Sequence, residues 1–145
     1  MGIITANAKE GQEFTGKPKK ISWERLWTFS GGPFSSTGWP KKNAHTDLDF
    51  AHEVGLPSVA ASGTQHQGYL VQLMLDLFGV NWLYNGTMEF KNIGLVNVDD
   101  TVVAKAVITS REAQASETKF TMDVWVENQE GKKVQAGTAT GTIRD

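Results

Sequence analysis

Apolar residues along this chain keep two different periods, and the period changes at Gly79. Before it the spacing is helical. "SWERLWTFSGG" predicts a short helix: Ser22 is a fitting N-cap, Glu24 sits in the first turn, Trp23, Leu26, Trp27 and Phe29 supply an apolar stripe, and Gly31-Gly32 stops it. "PFSSTGWPKKN", 33 to 43, is all turn and breaker chemistry. "TDLDFAHEVG" predicts a second short helix, capped by Thr46 or Asp47 and ended by Gly55. From Thr64 to Phe78, Leu70, Leu73, Met74, Leu77 and Phe78 recur as a buried stripe, widened by Val71 and Leu75, with Gly79 closing the helix. That width predicts a helix covered on most sides.

After Gly79 four segments are rich in β-branched and aromatic residues and partly alternate: "GTMEFKNI", "TVVAKAVITSRE", "ETKFTMDVWVENQ" and "KKVQAGTATGTI". In the third, Phe120, Met122, Val124 and Val126 share one face. "NVDD" and "NQEGKK" are turn signals. One hydrophobic helix followed by four strands able to pair as antiparallel neighbours predicts an α+β fold, with the sheet curled around the helix. Residues 1 to 20 are polar and hold Gly11, Gly16 and Pro18, so a loose arm or an edge segment is expected there.

Composition narrows the picture. The 145 residues suit a single domain, 1–145, large enough to bury a core without staples. With no cysteine there is no disulfide, thiol nucleophile or Cys-ligated zinc. The net charge is −2 and the lysines are scattered, which argues against a nucleic-acid partner. The first residues lack a signal-peptide pattern and no apolar run is long enough to span a bilayer, so a soluble, cytoplasmic protein with no membrane partner is expected.

All three histidines lie in "NAHTDLDFAHEVGLPSVAASGTQHQGYL", beside a glycine that opens the long helix. A histidine titrates near neutral pH and moves protons either way. A helix N-terminus offers unpaired N–H donors with a favourable dipole for an oxyanion, and Gly63 has no side chain to block approach. An active site and a histidine-rich loop both remain open on these grounds.

The run "NAHTDLDFA...GLP...ASG....GYL" resembles the motif of the MaoC-like, (R)-specific enoyl-CoA hydratases, a hotdog-fold family with the pattern Asn-Pro-x-His-x-Asp-x-x-(Phe/Tyr)-Ala. His45 and Gly63 stand 18 apart, as in the family, with Asn43, Asp47, Phe50 and Ala51 at the matching offsets. The resemblance implies an antiparallel sheet wrapped around one long helix, and a homodimer or dimer of dimers whose sheets join. It implies an acyl-CoA or acyl-carrier-protein thioester as ligand, and hydration or dehydration at its α,β-double bond. His45 would then be the base, with Gly63 N–H holding the thioester oxygen and Asn43 organising the site. Ser62, His66, Trp39 and Asp47 would be candidates for the substrate's surroundings. No cofactor is implied, and metal binding is not expected.

One departure matters. The family's aspartate, five residues before the histidine, is replaced by Pro40, and Ala44 stands where the family has proline. No acidic residue lies between Glu24 and Asp47, and the loop before the motif is longer than the family's. Each candidate therefore has a plainer reading. His45 could be a loop histidine bonded to backbone, Gly63 a packing glycine, Asn43 an Asx-turn residue, and Asp47 a helix cap. His66 could be held by polar contacts within the protein or across an interface, with Trp39 in the core and His52 on a solvated helix face. A non-catalytic hotdog subunit that binds acyl thioesters is the competing function. A hotdog thioesterase fits less well, because "SGTQHQGYL" has no carboxylate before Asp76.

Overall fold

A computed structural model describes residues 3–144. The elements run β1 (Glu13–Thr15), β2 (Lys19–Lys20), α1 (Trp23–Ser30), α2 (Leu48–Glu53), α3 (Gly63–Phe78), α4 (Trp82–Asn85), β3 (Thr87–Asn92), β4 (Thr101–Ala113), β5 (Glu117–Glu127) and β6 (Lys133–Arg144). All pairings are antiparallel, in the order β1-β4-β5-β6-β3, with β2 also on β4. Strand β3 precedes β4 in sequence but sits at the far edge beside β6, in a register that puts Asn92 opposite Gln135.

The predicted α+β architecture is present. Helix α3 lies on β4, β5 and β6. Leu70, Met74 and Leu77 of the helix are sealed against Phe120, Met122, Val124 and Val126 of β5. Burying such side chains is worth roughly 1.5–3 kcal/mol each relative to exposure, so this contact holds the fold together. The helix is not covered all round, however. Thr64, Gly68, Gln72 and Asp76 are exposed at every fourth position and form one open face. Gly79 closes α3 at φ 77°, where L side chains are strained, and its N–H bonds Leu75 O.

Helix α1 begins on Ser22, whose Oγ accepts from Arg25 N–H at 3.2 Å, and ends at Gly31. Only Leu26 is fully buried, whereas Phe29, expected in the apolar stripe, is 49% exposed. At about 100° per residue Phe29 lies beyond Leu26, away from the two tryptophans. The "NVDD" turn holds Asp99 at φ 71°, a conformation that short polar side chains tolerate.

Residues 1 to 20 were expected as a loose arm or an edge segment, and α4 had no signal in the sequence. Short β1 and β2 pair the outer edge of β4, and backbone N–H groups of Ile3 and Ile4 reach Asp76 O and Leu77 O at the end of α3. The single turn α4 is held by Trp82, whose indole N–H donates to Thr140 O at 2.9 Å. None of the helices is long and apolar enough to cross a membrane, among the described residues.

Candidate active site

The segment before α3 is clamped by backbone bonds. Ala61 N–H donates to Val96 O, Val98 N–H to Val59 O, and Ala60 pairs with Asn97. Ala60 N–H also approaches Ala44 O at 3.4 Å, which draws the histidine loop to the foot of α3. The ring of His45 completes the junction: Nδ1 lies 2.7 Å from Ala60 O. A carbonyl oxygen only accepts, so Nδ1 carries the hydrogen and Nε2 of the neutral ring holds a lone pair. Nε2 has no hydrogen-bond partner among the described residues and is not sealed from solvent.

Asn43 builds the loop that presents this ring. Its Oδ1 accepts from His45 N–H at 2.8 Å and its Nδ2 donates to Ser30 O at 2.9 Å, so both ends of the amide are engaged. Thr46 Oγ1 donates to Lys41 O at 2.6 Å and accepts from Asn43 N–H at 3.0 Å. Trp27 fixes the loop to α1 by donating to Thr46 O at 3.2 Å. Asn43 thus holds the loop through both ends of its amide.

Gly63 is the first residue of the 16-residue α3, so its N–H has no carbonyl one turn earlier, and it has no other partner among the described residues. A free N–H at the positive end of the helix dipole suits a developing oxyanion. The absence of a side chain has a second cause: a Cβ at residue 63 would stand 2.5 Å from Asn92 Nδ2 and 2.8 Å from its Cγ and Oδ1.

Three other candidates are occupied locally. Ser62 is the N-cap of α3, its Oγ accepting from Thr64 N–H at 3.4 Å, and Asp47 is the N-cap of α2, accepting from Phe50 N–H at 2.9 Å. Trp39 donates its indole N–H to Gly32 O at 3.1 Å and packs edge-on against Phe34 and Trp27. His52 is exposed, its Nε2 3.3 Å from Pro57 O.

His66 is 2% exposed, yet neither ring nitrogen makes a hydrogen bond of ordinary geometry with a described residue. It lies by Asn92. Burial pushes its pKa below the ordinary histidine value, and the neighbouring Asn92 side chain offsets part of that shift. Asn92 and Gln135 are the site residues that the sequence did not reveal. Gln135, fully buried, donates from Nε2 to Asn92 Oδ1 at 2.7 Å and to Gly63 O at 3.3 Å. Amides on two strands carry no motif; only their cross-strand register brings them to the helix start. No group of three His, Asp or Glu side chains is arranged to hold a metal ion, among the described residues.

An open groove of about 520 Å³ runs between α1 and α3, lined in part by Phe29, Gln65, Gly68 and Tyr69.

No protein-family model matches the sequence, and no curated protein matches it. Solved structures do match. A MaoC-like dehydratase from Rhodospirillum rubrum superposes with a TM-score of 0.76 at 17% identity, over 99% of this chain and 97% of the other. The unliganded R-hydratase PhaJ1 from Pseudomonas aeruginosa gives 0.72 at 15% identity, over 97% and 89%. The HadBC 3R-hydroxyacyl-ACP dehydratase complex from Mycobacterium tuberculosis gives 0.66 at 14% identity, over 96% and 100%. At such identities the likeness is one of fold: this chain has the hotdog fold that these MaoC-like dehydratases and hydratases share.

Proposed function

We propose that this protein adds water to, or removes it from, the α,β-double bond of an acyl thioester carried by coenzyme A or a carrier protein. One observation carries the reading. His45 Nδ1 is committed to Ala60 O, three residues before a glycine whose N–H is free at the head of a 16-residue helix. A base and an oxyanion donor thus stand on the two sides of one junction.

The chemistry follows from those two groups. Nε2 takes a proton from water as the water oxygen bonds to the β-carbon. The double-bond electrons move to the thioester oxygen as an enolate, which Gly63 N–H stabilises. The enolate collapses and the α-carbon takes a proton, which the imidazolium can supply from Nε2. The Nδ1 bond to Ala60 O strengthens as the ring becomes charged, so the ring stays oriented through the cycle. Dehydration is the same path reversed. The acyl chain is assigned to the groove between α1 and α3, where Gly68 keeps the helix surface low and Phe29 and Tyr69 offer apolar rings. The protein is assigned to the cytoplasm and to a homodimer or dimer of dimers, with no cofactor.

Pro40 favours a second reading, a hotdog subunit that binds acyl thioesters without converting them, because the family's aspartate is absent there. A thioesterase is disfavoured by distance. Asp76 lies 13 residues beyond Gly63 on the same helix, about 20 Å away at 1.5 Å per residue. Incubation with enoyl-CoA thioesters separates the three. Loss of the conjugated double bond supports hydration, release of free thiol supports the thioesterase, and binding without either supports the subunit.

A further inference from the structure

We infer that Asn92, on the edge strand β3, is a second N–H donor to the thioester oxygen beside Gly63, and that Gln135 holds its amide in the donating orientation. This rests on the thioester reading above and adds a residue to the same site.

The orientation of the amide follows from a chain of hydrogen bonds that starts at backbone. Gly63 O can only accept, so the Gln135 atom 3.3 Å from it is the amide nitrogen. That NH2 group also lies 2.7 Å from Asn92, so the atom it meets there is the oxygen. The free end of the Asn92 amide is therefore Nδ2. The ring of His66 stands beside the Asn92 side chain, but neither of its nitrogens makes a hydrogen bond of ordinary geometry, so Nδ2 has no such acceptor among the described residues. The cross-strand pairing of Asn92 with Gln135 explains why the two amides meet.

The position suits a shared oxygen. Nδ2 is 2.5 Å from where a Cβ would stand at Gly63. Standard geometry puts that Cβ about 2.5 Å from the residue's own nitrogen, so Nδ2 and Gly63 N are no more than about 5 Å apart. Two donors at that separation can each lie about 2.7–3.1 Å from one oxygen, the range an oxyanion hole requires. Asn92 is exposed, while Met88 and Phe90, at alternate positions on the same face of β3, are half-buried, Met88 against the core. A ligand can therefore reach the amide, which Gln135 holds from below. The glycine at 63 serves both donors: it bares its own N–H and leaves room for the amide.

The test uses a saturated acyl-CoA with an isotope-labelled thioester carbonyl, bound to the full chain, with infrared spectra read beside enoyl-CoA kinetics. In the parent the carbonyl stretch should shift to lower frequency on binding. Asn92→Ala should move it back toward the free value and lower kcat about a hundredfold, with KM little changed. Asn92→Asp keeps the shape and the bond from Gln135 but removes the donor, and should lose at least as much. A carbonyl shift and kcat equal to the parent's in both variants would overturn the role of Asn92 and leave the hydratase reading standing. A parent that binds no thioester would overturn that reading, and this one with it.

Discussion

At the scale of single residues, the site depends on what each polar atom has already been given. His45 has one ring nitrogen bound to Ala60 O and one free, which is the arrangement a base needs. Asn43, Asp47 and Ser62 have theirs committed to backbone, so their part is to hold loops and helix ends. His66 has neither nitrogen satisfied, and its pKa is lowered chiefly by burial. A histidine with a depressed folded pKa resists protonation, whereas the unfolded chain takes the proton near pH 6.5. The contribution of neutral His66 is thus complete above about pH 6.5 and is lost as the pH falls below it. His66→Leu removes both the buried unpaired nitrogens and the titration. Urea unfolding should find the variant at least as stable as the parent at neutral pH, and less sensitive to acid as the pH falls below about 6.5. An unchanged acid sensitivity would show that another group is responsible.

At the scale of elements, periodicity was a good guide where one face decides the outcome. Helix α3 and the alternation in β5 were legible because burial of Leu70, Met74, Phe120 and Met122 imposes the period. Caps at Ser22 and Asp47, and stops at Gly31 and Gly79, were legible because their chemistry is local. Strands β1 and β2 were legible only as an arm or edge segment somewhere in residues 1 to 20, and the single turn α4 not at all, since long-range pairing and the Trp82–Thr140 bond hold them. The same division applies to the site: the His45–Gly63 spacing is written along the chain, but Asn92 reaches Gly63 only through the β3–β6 register. Glycines show how far packing reaches beyond local rules. A Cβ at Gly141 would stand 2.6 Å from the buried ring of Phe78, whereas one at Gly68 would meet nothing within 4 Å. Gly141→Val should therefore cost about 1–3 kcal/mol through overpacking. Gly68→Ala, on the exposed face of α3, should add up to about 1 kcal/mol. Denaturant midpoints check both, and a neutral Gly141→Val would contradict the packing of α3 on β6.

At the scale of the molecule, the sheet ends on β3, which among the described residues pairs only with β6 and leaves its other edge open. Val80, Leu83, Tyr84, Ile93 and Leu95, flanking that strand in sequence, are at least half exposed. An open edge with apolar neighbours invites a second copy. Light scattering at micromolar concentration should give a dimer or a multiple of it, and a monomer would contradict the assembly. Such a partner would meet the edge strand that bears Asn92, so assembly and site are expected to be linked.

The proposed activity rests on one ring nitrogen, so its most direct measurement is the hydration of enoyl-CoA thioesters by the parent and by His45→Ala. The parent should consume the conjugated double bond, slowly on simple straight chains because Pro40 stands where a second proton-transfer group is usual. Proton transfer by a positioned group is worth about 10²–10⁴-fold, and His45→Ala should lose at least that much with an unchanged circular dichroism spectrum. A folded His45→Ala variant that hydrates as fast as the parent would contradict the account.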